Sequence, residues 1–167
     1  GGKAQVYISR IDIPAFDDVD CDSDLDVITF NLSGGYIEWY QNLSVEKGYG
    51  RDSMIFKLQS NCWGGVYEDG LSANMSLSSA PGKCFQTGAN NPSVDYRHAG
   101  STLTTTDVDS DGDLDLFTGD VSFNNINLLT NGGTCAHAWF NKQDPRFPGT
   151  DKGVDLPIFP AVFMIDI

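Results

Sequence analysis

Apolar and polar residues alternate along this chain in short runs. Leu25 to Phe30 and Leu114 to Thr118 mix Val, Ile, Leu, Phe and Thr with polar positions, and Met54-Ile55-Phe56-Lys57-Leu58 alternates in the same way. A period of two in β-branched and aromatic residues predicts strands. Ser33-Gly34-Gly35 and the stretch Ser122 to Asn125 supply turn residues after the first two of these runs. Trp39 and Tyr40 fall in the strand beyond the first turn and are expected to face a core between packed sheets. Helical periodicity is almost absent, so the expected fold class is all-β.

Just before two of these strands stand two nine-residue acidic runs that read almost identically. They are Asp18-Val19-Asp20-Cys21-Asp22-Ser23-Asp24-Leu25-Asp26 and Asp107-Val108-Asp109-Ser110-Asp111-Gly112-Asp113-Leu114-Asp115. Carboxylates this close repel: at an effective dielectric of 20, two charges 5 Å apart cost about 3 kcal/mol. A tightly folded loop of this composition calls for a hard cation. Oxygen-only ligands select calcium over zinc or copper. In calcium loops, positions 1, 3 and 5 bind through side chains and position 7 through its carbonyl. The first loop then offers Asp18, Asp20 and Asp22, a turn at Ser23, the carbonyl of Asp24, and Asp26. The second offers Asp107, Asp109 and Asp111, a turn at Gly112, the carbonyl of Asp113, and Asp115. The side chains of Asp24 and Asp113 are expected to point to water. Ser23 makes the first loop the less ideal one, because a side chain penalises positive φ. Position 12 is Thr29 or Thr118 rather than Glu, and strands follow rather than helices, so these are not EF-hands.

The likeness extends past the aspartates. Aligned without gaps from Asp18/Asp107 to Asn42/Asn131, 11 of 25 pairs are identical, among them Leu25/Leu114, Thr29/Thr118, Ser33/Ser122 and Ile37/Ile126. A third copy is expected to start near the end, where Phe159-Pro160-Ala161 precedes Asp166-Ile167 as Ile13-Pro14-Ala15 precedes Asp18-Val19. Strand-rich repeats of this size point to a β-propeller.

The D-V-D-x-D-G-D-L-D loop, the strand after it and a closing strand ending near Asn-Gly resemble the FG-GAP/VCBS repeats, the blades of integrin-α-like propellers. The resemblance covers residues 13–43 and 101–133 well, and 158–167 only as a start. It implies a partial β-propeller of antiparallel blades, with calcium at two sites between blade strands. It further implies a bacterial exported protein. Arg97-His98-Ala99-Gly100-Ser101-Thr102 and the Cys-containing insertion are similar to large exported propeller proteins of Bacteroidetes, which often use the type IX secretion route.

Composition narrows the partners. The net charge is −13 and the pI about 4.2, which argues against nucleic acid or an anionic membrane. No apolar run reaches the ~18 residues of a membrane span. Gly1-Gly2-Lys3 reads as an internal cut or an expression remnant rather than a natural start, so a targeting signal is expected to be missing from it. Open blades expose strand edges, so residues 1–167 are expected to belong to a longer chain with further blades or to be held by a partner. Four cysteines allow three complete pairings. Cys62–Cys84, within the insertion, is the favoured pair, and Cys21 and Cys135 either pair or stay free. An even cysteine count with calcium-type loops fits an oxidising exterior, against the alternative of four buried thiols in a cytosolic protein.

The domain reading is repeat 1 at 13–43, an insertion at 44–100, repeat 2 at 101–133, a linker at 134–157 and a third repeat starting at 158–167. The insertion reads as a long rim loop or small subdomain, with Trp63 and Tyr67 as candidate exposed aromatics. The two histidines, His98 and His137, stand in unrelated contexts, and no G-x-S-x-G, H-E-x-x-H or phosphate loop occurs, so no enzyme is expected. The expected role is a secreted or cell-surface binding and adhesion scaffold, meeting an extracellular protein or glycan through rim loops. The alternatives are a non-catalytic module of a secreted carbohydrate-active enzyme or hydrolase, and a passenger fragment recognised by secretion or outer-membrane machinery.

Overall fold

A computed structural model describes residues 5–51, 53–87, 100–149 and 151–165. The fold is all-β. Strands β1 (Ala15–Asp17), β2 (Asp26–Phe30), β3 (Ile37–Asn42) and β4 (Phe56–Ser60) form one antiparallel sheet in sequence order. Strands β5 (Ser101–Thr106), β6 (Asp115–Asp120), β7 (Asn127–Asn131) and β8 (Phe140–Asp144) form a second sheet of the same order. The only helical turn among the described residues is the 3-10 turn Trp63–Gly65. Each sheet outruns its repeat: β4 falls in the 44–100 insertion and β8 in the 134–157 linker. The alternating run at Met54–Leu58 overlaps β4.

Strands β2 and β6 are buried at every position, so both faces of each sheet are covered there. The outer strand β4 is exposed through Lys57, Leu58 and Gln59. One face of the first sheet, carrying Ile28, Phe30, Ile37 and Trp39, shares a core with Leu103, Leu116, Leu129 and Phe140 of the second. Each such fully buried aliphatic or aromatic side chain contributes about 1.5–3 kcal/mol over leaving it in water. Trp39 and Tyr40 are both buried, Trp39 within this shared core.

The sheets meet edge to edge as well. Ile13, just before β1, pairs in parallel with Thr102 of β5, through Ile13 N–H to Ser101 O at 2.9 Å and Leu103 N–H to Ile13 O at 2.9 Å. On the same strand, the Thr102 hydroxyl donates to Pro160 O at 2.9 Å and Thr104 to Val162 O at 2.6 Å. The segment around Phe159-Pro160-Ala161 therefore runs along β5. Asp166-Ile167, Asn90 to Pro92, Arg97 and His98 lie outside the described residues.

The insertion corrects the sequence reading. Trp63, Val66 and Met75 are buried members of the shared core rather than parts of an exposed rim loop. Trp63, expected as an exposed aromatic, meets Phe140 edge to face at 5.0 Å; Tyr67 is half-buried, against Tyr36 at 4.9 Å. Gln143 of β8 brackets the Met75 backbone, accepting from its N–H at 2.9 Å and donating to its carbonyl at 2.8 Å. The insertion's stretch from Trp63 to Met75 is a wedge between the two sheets. Both disulfides form: Cys62–Cys84 closes the wedge, and Cys21–Cys135 ties the first acidic loop to the residues after β7. The second spans 114 residues, and chain entropy assigns loops of roughly 100 residues about 4.7 kcal/mol.

Gly64 shows how tight the wedge is. Its φ is +69°, and an added Cβ would fall 2.1 Å from the Phe140 ring. Gly64→Ala is expected to cost about 2–5 kcal/mol, from overpacking of about 1–3 and left-handed strain of about 1–2. Gly48→Ala, with φ +74° but open space around it, should lose only the strain. Urea unfolding of the two variants measures the difference.

Candidate metal centre

Each acidic run forms the turn between the first two strands of its sheet, β1–β2 or β5–β6. The runs fold alike because the first aspartate organises the backbone. Asp18 accepts from the N–H groups of Asp22 and Ser23, each at 2.9 Å. Asp107 accepts from Ser110 at 2.7 Å, Asp111 at 3.2 Å and Gly112 at 3.0 Å. The fifth position then holds the seventh: Asp22 accepts from Asp24 N–H at 2.9 Å and Asp111 from Asp113 N–H at 3.1 Å. Position 6 is left-handed in both loops, at φ +74° for Ser23 and +91° for Gly112. Ser23 thus carries the strain that Gly112 avoids. Position 4 is left-handed too, at Cys21 and Ser110.

The last aspartate ties the loop to the sheet. Asp26 is fully buried and accepts from Asn42 N–H at 2.6 Å and the Trp39 indole N–H at 3.0 Å. Asp115 accepts from Asn131 N–H at 2.8 Å and Val108 N–H at 3.0 Å. Asn42 and Asn131, an identical pair in the repeat, are buried in turn. Asn42 accepts from Ile55 N–H at 2.8 Å, and Asn131 from Trp139 N–H at 2.8 Å.

The carboxylates converge differently in the two loops. In the first, Asp18, Asp20 and Asp22 bring oxygens within 4.8 Å of one another, as do Asp22, Asp24 and Glu46. In the second the converging set is Asp107, Asp109 and Asp115. Asp26, Asp111 and Asp113 stand outside these groups. The expectation that Asp24 and Asp113 point to water is corrected: both side chains are buried, and Asp24 accepts from the Ser44 hydroxyl at 2.8 Å and from Val45 N–H at 3.3 Å. Four buried carboxylate oxygens have no hydrogen-bond partner: Asp20 Oδ1, Asp22 Oδ2, Asp24 Oδ1 and Asp113 Oδ1. Buried unpaired acceptors are costly, and an ion is one of the few things that relieves them. The donor set is all oxygen and fits calcium. Glu46 carries no motif of its own; it reaches the first loop because the chain turns back after β3.

Electrostatics follow from this crowding. Burial pushes Asp26 up to about 7, against the opposing bonds from Asn42 and Trp39. Burial, then the neighbouring Asp111 and Asp115 charges, push Asp113 up to about 6. Asp20, Asp22 and Asp115 are also raised, burial being the largest cause in each. Compared with known protein families, curated proteins and solved structures, the chain matches none.

Because the folded pKa of Asp26 lies above its unfolded value, protonation favours the folded state. Its contribution is complete below about pH 4 and is lost as pH rises through about 7. In chelator, stability should therefore fall from pH 5 to pH 8, and Asp26→Asn should flatten that fall. Urea midpoints across this range test both.

Proposed function

We propose that this chain is a calcium-stabilised binding module of an exported protein, built from blade-like sheets of the FG-GAP/VCBS type. The observation that carries the reading is the pair of matching loops, with buried unpaired oxygens on Asp20, Asp22 and Asp24 of the first and on Asp113, beside the converging set, of the second. Asp18, Asp20 and Asp22, with Glu46 beside them, would hold one ion, and Asp107, Asp109 and Asp115 the other. The ion would supply positive charge where each loop joins its sheet, offsetting the repulsion and lowering the raised carboxylate pKa values. The ion's role is structural: a neutralised loop holds β1 to β2 and β5 to β6.

The blade reading is supported by the two four-stranded meanders, stacked face on face with β1 beside β5, and by the segment near Pro160 lying along β5. Repetition of that step leads to a propeller closed by further blades. The two disulfides fit an oxidising compartment, and no helix among the described residues is long and apolar enough to cross a membrane.

Thermal unfolding in chelator and across a calcium titration tests this reading. At free calcium 100-fold above the dissociation constant, each native-state site adds about 2.7 kcal/mol. The midpoint should rise with calcium and little with magnesium, and Asp18→Asn with Asp107→Asn should abolish the rise. A folded sample indifferent to calcium would reduce the loops to solvated turns.

A further inference from the structure

All three tryptophans of the chain line one cleft of about 640 Å³, between the outer strands of the first sheet and the β7–β8 connection of the second. Trp39 and Trp63 are nearly buried and supply its floor, while Trp139 is half-buried and supplies a wall. Around them stand Gln41, Gln59 and His137, with one charge of each sign, Asp20 and Lys83. Gln59 and His137 are exposed; Gln41 is held by its amide N–H groups on Asp20 at 2.5 Å and Glu46 at 2.6 Å.

The cleft is pre-formed. Trp63 is fixed by its edge-to-face contact with Phe140 and by the neighbouring Cys62–Cys84 bridge. Trp139 is fixed at both ends: its backbone N–H donates to Asn131 Oδ1 at 2.8 Å and its indole N–H to Ser78 O at 3.4 Å. A rigid site loses little conformational freedom on binding. Its volume lies in the range of small-ligand sites, roughly 300–1,000 Å³.

We propose that this cleft binds a neutral oligosaccharide, one sugar ring lying on the Trp139 indole and its hydroxyls bonded by Gln59, His137 and the Gln41 carbonyl oxygen. A sugar has an apolar C–H face and an edge of hydroxyls, and this lining pairs an indole surface with amide and imidazole groups that both donate and accept. A purely apolar ligand would desolvate those groups without pairing them. A polyanion would meet Asp20 in the cleft and a chain of net charge −13, with Lys83 the single cationic group of the lining. The inference deepens the binding-module reading and rests on it only for the module's role. Sheet packing and the Cys62–Cys84 bridge set the cleft's tryptophans, while Asp20, and Gln41 held on Asp20 and Glu46, join its rim to the first acidic loop.

The test is tryptophan emission and titration calorimetry of the chain in calcium buffer against cellohexaose, laminarihexaose, chitohexaose and mannohexaose. At least one should produce saturable heat and a saturable emission change. Trp139→Ala should then weaken binding about tenfold or more, as loss of an aromatic anchor does. Gln59→Ala and His137→Ala change exposed residues and should each weaken it several-fold with the thermal midpoint unchanged, which covers a Trp139 variant that fails to fold. Silence from all four sugars at millimolar concentration, in a sample with a cooperative thermal transition, would overturn the proposal. So would sugar binding indifferent to the Gln59 and His137 variants, or preference for a polyuronate. Sugar binding without any calcium response would sink the calcium reading and leave this one standing.

Discussion

Crowding of like charges at two strand junctions is the constraint on which the rest of this structure depends. Each sheet turns from its first to its second strand through five aspartates, and the last of these is drawn inside. Asp26 and Asp115 accept backbone N–H groups from the ends of β3 and β7, so the loop, the second strand and the third meet at one carboxylate. Asn42 and Asn131 carry the connection on to the chain leading into β4 and β8. Burial, with the neighbouring aspartate charges, raises the Asp26 and Asp115 carboxyls towards the protonated form. A bound cation, as proposed, would reverse that preference and turn a repulsive turn into a fixed one.

The same arrangement explains why the repeated positions repeat. Ile37 and Ile126 are fully or almost fully buried. The aspartates at positions 1 and 5 hold loop N–H groups, and positions 4 and 6 take left-handed backbone. Two sheets built this way stack on a common apolar face, with the wedge from Trp63 to Met75 filling their outer gap.

The strands and loops were legible in the sequence because they rest on local signals. Alternation marks β2, β4 and β6; Gly and Ser mark the turns; the aspartate spacing marks the loops. The rest depends on contacts far apart in the chain. Trp63 reads as an exposed aromatic amid Gly and Asn, and only the approach of β8 buries it. Cys21 pairs with Cys135 because the first acidic loop lies beside the β7–β8 connection, which no spacing announces. Glu46 joins the first acidic loop through the turn after β3, outside any motif. The side chains of Asp24 and Asp113 look solvent-bound in the aspartate pattern, and only packing of the loops against the sheets buries them.

Direct counting of bound ions tests the central claim most directly. Equilibrium dialysis of the purified chain against calcium should give one ion per acidic loop. Asp18→Asn should remove the first ion alone, and Asp107→Asn the second alone. A folded chain that takes up no calcium, or uptake unchanged in both variants, would contradict the account.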